Sequence, residues 1–170
     1  MRVPMLPVGL ILGIPLFLAG CGQQNLIGDP CATQQIPRPY PEGVAAPETL
    51  RIADRSIALD CDLWRDFMPV GPPDGRPMIA IIRVVDTRQK ALPAGMELDY
   101  LWVLADGGRI WATGFTDEER PPSPAHQVER VARCGPKWDP GTKVDILLRV
   151  LEGERERYLK ASGVEIARTE

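Results

Sequence analysis

The sequence predicts an all-β domain of two packed antiparallel sheets with about seven strands, and three observations predict it. Beyond position 48, apolar residues recur at every second position and not at helical spacing. Turn-forming residues interrupt these runs every ten or so positions. The 18 prolines and 16 glycines in 170 residues favour short strands and many turns over long helices.

Taken along the chain, Ile57, Leu59, Cys61 and Leu63 alternate with Asp60 and Asp62, which sets an apolar row inward and carboxylates outward. Met78, Ala80, Ile82 and Val84 form a second row, with Arg83 pointing the other way. Residues 98–104 (LDYLWVL) and 109–115 (RIWATGF) flank Asp106, Gly107 and Gly108, where glycine accepts positive φ without steric cost, so a hairpin is expected. A strand at 127–133 follows. Val144, Ile146, Leu148 and Val150 then alternate with outward Lys143, Asp145 and Arg149, and two further strands are expected at 157–161 and 164–168. This pattern resembles an immunoglobulin-like or fibronectin type III-like sandwich. The resemblance lies in strand number and spacing alone, because the antibody arrangement of two cysteines around a core tryptophan is not met. A small open barrel is the alternative.

The first twenty residues read as a signal peptide: Arg2 supplies the positive start and residues 8–18 (VGLILGIPLFL) an apolar stretch too short to span a bilayer comfortably. The stretch ends Leu18-Ala19-Gly20-Cys21, which resembles the lipobox of bacterial lipoproteins, an aliphatic residue and two small ones before an obligatory cysteine. The resemblance implies cleavage before Cys21 and a diacylglycerol on its sulfur. Acyl chains contribute about 0.8 kcal/mol per buried methylene, enough for two or three to hold a protein on a membrane without a spanning helix. Gly22 follows, with no aspartate to imply retention at the inner membrane, so the expected location is the cell envelope, at the outer membrane facing the periplasm. Residues 21–47 carry Pro30, Pro37, Pro39, Pro41 and Pro47 and read as a lipidated, extended linker lifting a domain of residues 48–170 off the bilayer.

Removing Cys21 leaves Cys31, Cys61 and Cys134, an odd number that permits at most one intrachain bridge. Cys61 with Cys134 is the favoured pair, tying two layers of the core, with the pairings of Cys31 as alternatives. Three cysteines without CxxC spacing and a single histidine argue against zinc, and no metal or cofactor is expected. Trp64, Trp102, Trp111 and Trp138 are expected mostly in the core, with Trp102 and Trp111 facing one another across the hairpin. The rigid, aromatic segment 135–141 makes Lys137, Trp138 and Asp139 the candidate binding loop. His126 follows a proline-rich loop with no nucleophile motif beside it and reads as solvated. The run Asp117, Glu118, Glu119 reads as a solvated loop, with weak calcium binding the sharper alternative. Asp60, Asp62 and Asp66 require solvent or a basic neighbour such as Arg65.

A formal net charge of −3 with no dense basic patch argues against nucleic acid as a partner. No catalytic constellation is visible, so the expectation is a non-enzymatic envelope module, held to the membrane by lipid, that binds or scaffolds an envelope protein. The alternatives are a protease inhibitor presenting a rigid loop, at 135–141 or 121–124, and an enzyme acting on cell-wall glycans.

Overall fold

The computed structural model describes Cys31 and residues 38–170. The signal segment and Cys21 lie outside the described residues. The expected all-β class is observed: the described residues form eight strands, β1 (Thr49–Ile52), β2 (Arg55–Asp66), β3 (Met78–Asp86), β4 (Met96–Ala105), β5 (Arg109–Thr113), β6 (Gln127–Gly135), β7 (Lys143–Glu152) and β8 (Arg155–Thr169), with one 3-10 turn at Asp106–Gly108. Among the described residues no helix is long and apolar enough to cross a membrane.

The strands form one curled path, β5-β4-β7-β8-β2-β3-β6, with β1 paired to β2. All neighbours are antiparallel except β2 and β8, whose parallel register runs from Leu63 opposite Ile166 to Asp66 opposite Thr169. The sheet is therefore mixed and continuous, a departure from the expected two separate antiparallel sheets. Its cause is the length of β8. Fifteen residues allow this strand to pair along β7 and still extend four residues beyond to meet β2. The two strands expected at 157–161 and 164–168 are one, interrupted by a bulge in which Gly163 takes φ +67° and its N–H donates to Asp145 Oδ1 at 2.9 Å.

The alternations in β2, β3 and β7 are borne out. Ile57, Leu63, Met78, Ala80, Ile82, Val84, Val144, Ile146, Leu148 and Val150 are all buried in one core between the two halves of the sheet. The hairpin at Asp106–Gly108 also forms, with Ala105 opposite Arg109 and Gly107 and Gly108 both near φ +74°. Its register, however, sets Trp102 opposite Ala112 and Trp111 opposite Val103. The two tryptophans are thus an odd number of positions out of phase and lie on opposite faces of the sheet. Trp111 joins the main core, and Trp102 belongs to a second cluster with Tyr100 and Leu147 on the outer face. Arg149, expected outward in solvent, does point to that outer face but is buried there, bonding Glu156 Oε1 at 2.9 Å and pairing with Asp99.

Candidate binding surfaces

The two outer faces of the sheet are treated differently. Over β4, β7 and β8, the chain's own proline-rich segment packs on the aromatic cluster: Arg38 N–H donates to Tyr100 Oη at 2.9 Å, Trp102 Nε1 donates to Arg38 O at 3.1 Å, and Lys160 N–H donates to Pro47 O at 3.0 Å. Tyr40 and Ala46 add apolar contact. Residues 38–47, expected as part of a free spacer, are therefore docked. Buried aromatic surface and three hydrogen bonds outweigh the chain entropy that would keep such a segment loose.

The outer face of β2, β3 and β6 carries a different surface. Trp64, Ile79, Ile81 and Val85 alternate onto it, are half-buried, and belong to neither core cluster among the described residues. Beside them runs an ion network. Arg83 on β3 sits directly opposite Asp60 in the β2–β3 register and opposite Glu129 in the β3–β6 register. Its guanidinium bonds Asp62 Oδ2 at 2.6 Å, Glu129 Oε2 at 2.8 Å and Asp60 Oδ2 at 3.0 Å, and Arg120 pairs with the other oxygen of Glu129. Burial works against the Arg83 charge, but the bonds to Asp62, Glu129 and Asp60 more than offset it and its pKa is raised. The basic neighbour of Asp60 and Asp62 is thus Arg83, across the strand, and not Arg65. Arg65 shares their strand but lies on the opposite face.

Arg65 is instead the organiser of one end of the molecule. It is 3% exposed, and it donates to four backbone carbonyls: Arg76 O at 3.1 Å, Lys137 O and Trp138 O at 3.2 Å each, and Asp74 O. It stacks on the ring of Phe67 with its carbon 4.8 Å from the centroid. The β2–β3 loop and the loop holding Lys137, Trp138 and Asp139 are so clamped together from behind. Trp138 turns inward against the core with Arg109 over its ring at 5.2 Å, and Lys137 Nζ bonds Asp74 Oδ2 at 2.7 Å, which lowers the Asp74 pKa. Of the three candidate loop residues, Lys137 and Asp139 are exposed and Trp138 is not. An arginine closing a strand gave no signal in the sequence, since solvated arginines at strand ends read the same way.

The disulfide is Cys31–Cys134, with Cα atoms 5.4 Å apart, and Cys61 is a free thiol. The favoured pairing with Cys61 is overturned by topology. Cys61 on β2 is opposite Ile82 of β3, and β3 separates β2 from β6. Two strand spacings come to about 9.6 Å, beyond the 7 Å or so that a bridge can span. Burial, with the nearby Asp60 and Asp62 charges, pushes the Cys61 thiol up to about 12.

The remaining candidates are absorbed locally. His126 is half-buried, and its carbonyl accepts from Asp86 N–H at 2.9 Å. In the acidic run, Glu118 accepts from Arg133 and from Thr116 Oγ1 at 2.8 Å, and Arg133 holds its carboxyl below the usual range. An open groove of about 390 Å³ lies between this segment and β6, but Glu118 and Glu129 on its wall are already paired with arginines. Among the described residues no group of three His, Cys, Asp or Glu side chains is placed to hold a metal ion. Comparison of the chain with family models, with curated proteins and with solved structures found no match.

Proposed function

We propose that this chain is a lipid-anchored protein of the bacterial cell envelope, held by acyl groups on Cys21 at the periplasmic side of the outer membrane, whose β domain is a non-catalytic binding module. The observation that carries the reading is the asymmetry of the two outer sheet faces. One is covered by the chain's own residues 38–47, while the other displays half-buried Trp64, Ile79, Ile81 and Val85 outside either core cluster. Aromatic and aliphatic side chains framed by charge are the composition of a protein-binding patch. Asp60 and Asp62, 59% and 58% exposed beside an Arg83 that is only 21% exposed, favour a partner segment carrying a basic residue next to apolar ones.

The kinship with immunoglobulin-like sandwiches is part of the same proposal. It is supported by two sheet halves packed on one core, and the parallel β2–β8 join is its point of departure. The inhibitor alternative draws less support, because Trp138 turns inward and Lys137 is tied to Asp74.

The test places a photo-crosslinking residue at Ile81 in living cells, with a second at Tyr40 on the covered face. The expected result is a discrete crosslinked partner from position 81, lost on the background substitution Trp64→Asp in a protein whose melting midpoint is unchanged. Crosslinks from neither position, or equal crosslinks from both, would overturn the assignment of this face.

A further inference from the structure

One end of the curled sheet gathers features that the binding face does not use. At this end β2, β6 and β8 finish and β3 and β7 begin, as the registers of Met78 with Gly135, Asp66 with Thr169 and Lys143 with Glu165 require. The β4–β5 turn is there too, since Ala105 lies opposite both Val144 and Arg109. The three exposed large hydrophobic residues among those described are Met68, Val70 and Ile110, at 48%, 84% and 45%. All three sit at this end, the first two in the β2–β3 loop and the third in the second position of β5.

The loop does not fold its apolar tip back. Met68 N–H donates to Asp66 Oδ1 at 2.9 Å, Gly71 N–H to Met68 O at 2.8 Å and Gly75 N–H to Pro72 O at 2.8 Å, while Arg65 holds Asp74 O and Arg76 O from beneath. Pro69, Pro72 and Pro73 stiffen what remains. A valine held at 84% exposure by so many local bonds is presented outward, at the usual cost of apolar surface in water.

The N-terminal segment is fastened at the same end. Cys134, bonded to Cys31, immediately precedes Gly135, which pairs with the first residue of β3. Ten positions separate Cys31 from Cys21 in the sequence, and a chain of that length reaches no farther than about 36 Å even when fully extended. If Cys21 is embedded in a bilayer, the disulfide makes this end the point at which the anchored segment joins the domain.

We propose that the end bearing Met68, Val70 and Ile110 faces the membrane and rests on it, with the tip of the β2–β3 loop seated at the headgroup boundary. This rests on the acyl-anchor reading of Cys21. Charge does not select the lipid: Arg76, Arg109, Lys137 and Arg168 share the end with Asp66, Asp74, Asp106, Asp139 and Glu170, and several of them pair with one another. The contact is therefore apolar and insensitive to salt, and it occurs on zwitterionic lipid. It also turns the outer face of β2 and β3, with half-buried Trp64, Ile79, Ile81 and Val85, sideways, parallel to the membrane normal, where a partner can reach it.

The test uses the full chain made in a bacterial host, purified in detergent and reconstituted into phosphatidylcholine vesicles, on a Cys61→Ala background. A nitroxide is attached at Val70→Cys or at Glu154→Cys. The second site is the β7–β8 turn at the far end, about 33 Å away along the ten residues of β7. Mass spectrometry of the N-terminal peptide reports acylation of Cys21 separately. Expected are an acylated peptide and, at position 70, a ratio of oxygen to nickel-chelate accessibility raised about threefold over the detergent-free soluble chain, with no change at position 154. An acylated protein whose position 70 is as open to the nickel chelate as position 154 overturns the membrane-facing end alone. Protection at position 70 from both reagents places a second protein there and overturns it too. An unmodified Cys21 with no vesicle association overturns the anchor and this proposal together.

Discussion

Breaking the disulfide by Cys31→Ser is the most direct check on the topology. The bridge closes a loop with a sequence separation of 103, for which the chain-entropy relation gives about 4.7 kcal/mol at 25 °C. A domain of about 130 residues gains about 0.28 kcal/mol/K of entropy on melting, so the full effect corresponds to a fall in melting temperature of about 17 °C. Residual order in the unfolded chain reduces this, and a loss of about 2 kcal/mol, or 7 °C, is the least expected. Cys31 is the better partner to remove, because Cys134 takes φ +65° in the β6 bulge and its replacement would confound backbone and bridge. The assay is guanidinium and thermal unfolding of a chain starting at Gly22, with reduced wild type as reference and Cys61→Ala as control. Reduced wild type should match Cys31→Ser, and Cys61→Ala should retain the bridge. Ellman's reagent at pH 8 should find Cys61 silent until denaturant is added, since its buried thiol is protonated there. A midpoint for Cys31→Ser within about 1 kcal/mol of oxidised wild type, or a tryptic peptide joining Cys61 to Cys134, would refute the reasoning.

Arg65→Met should cost about 3 kcal/mol, because four carbonyls lose a charged donor, and amide exchange should accelerate in residues 67–77 and 136–141 while β7 stays protected. A loss below about 1 kcal/mol would show that those loops hold themselves. Gly135→Ala sets a Cβ 3.0 Å from Met78 Cβ and from the Trp111 ring, inside the core, and should destabilise by about 1 to 3 kcal/mol in a denaturant titration, with no change in the slope. Asp86 accepts backbone N–H bonds from Lys90, Arg88 and Ser56, which lower its pKa against the effect of burial. Its contribution is therefore complete above the ordinary aspartate value near pH 3.9 and is lost as pH falls through the lower folded value. Asp86→Asn should flatten the dependence of the urea midpoint on pH between about 2 and 4, and an unchanged acid limb would count against this role.

How much of this was readable from the residues alone follows from the range of each interaction. Strand alternation is local, so Ile57 to Leu63, Met78 to Val84 and Val144 to Val150 declared both their conformation and their inward side, and the glycines at 107 and 108 declared the hairpin. The pairing of Trp102 with Ala112 was a matter of register, and a shift of one position moves a side chain to the other face without altering the pattern of either strand. The segment between β6 and β7 is a loop, as its turn residues declared, but the direction of Trp138 depended on Arg109 and on the core beneath it.

Sequence by itself determined that this chain builds alternating strands after a proline-rich segment, because those preferences are written within a few residues, whereas the twelve- and fifteen-residue lengths of β2 and β8 were not foreseen. Tertiary structure alone decided that Cys31 and not Cys61 meets Cys134, that Arg65 closes one end, and that residues 38–47 cover one face while Trp64, Ile79, Ile81 and Val85 stay half-buried on the other. Each of those outcomes depends on which strands become neighbours. Strand order is set by burial summed over the whole sheet, a quantity that no local run of residues carries.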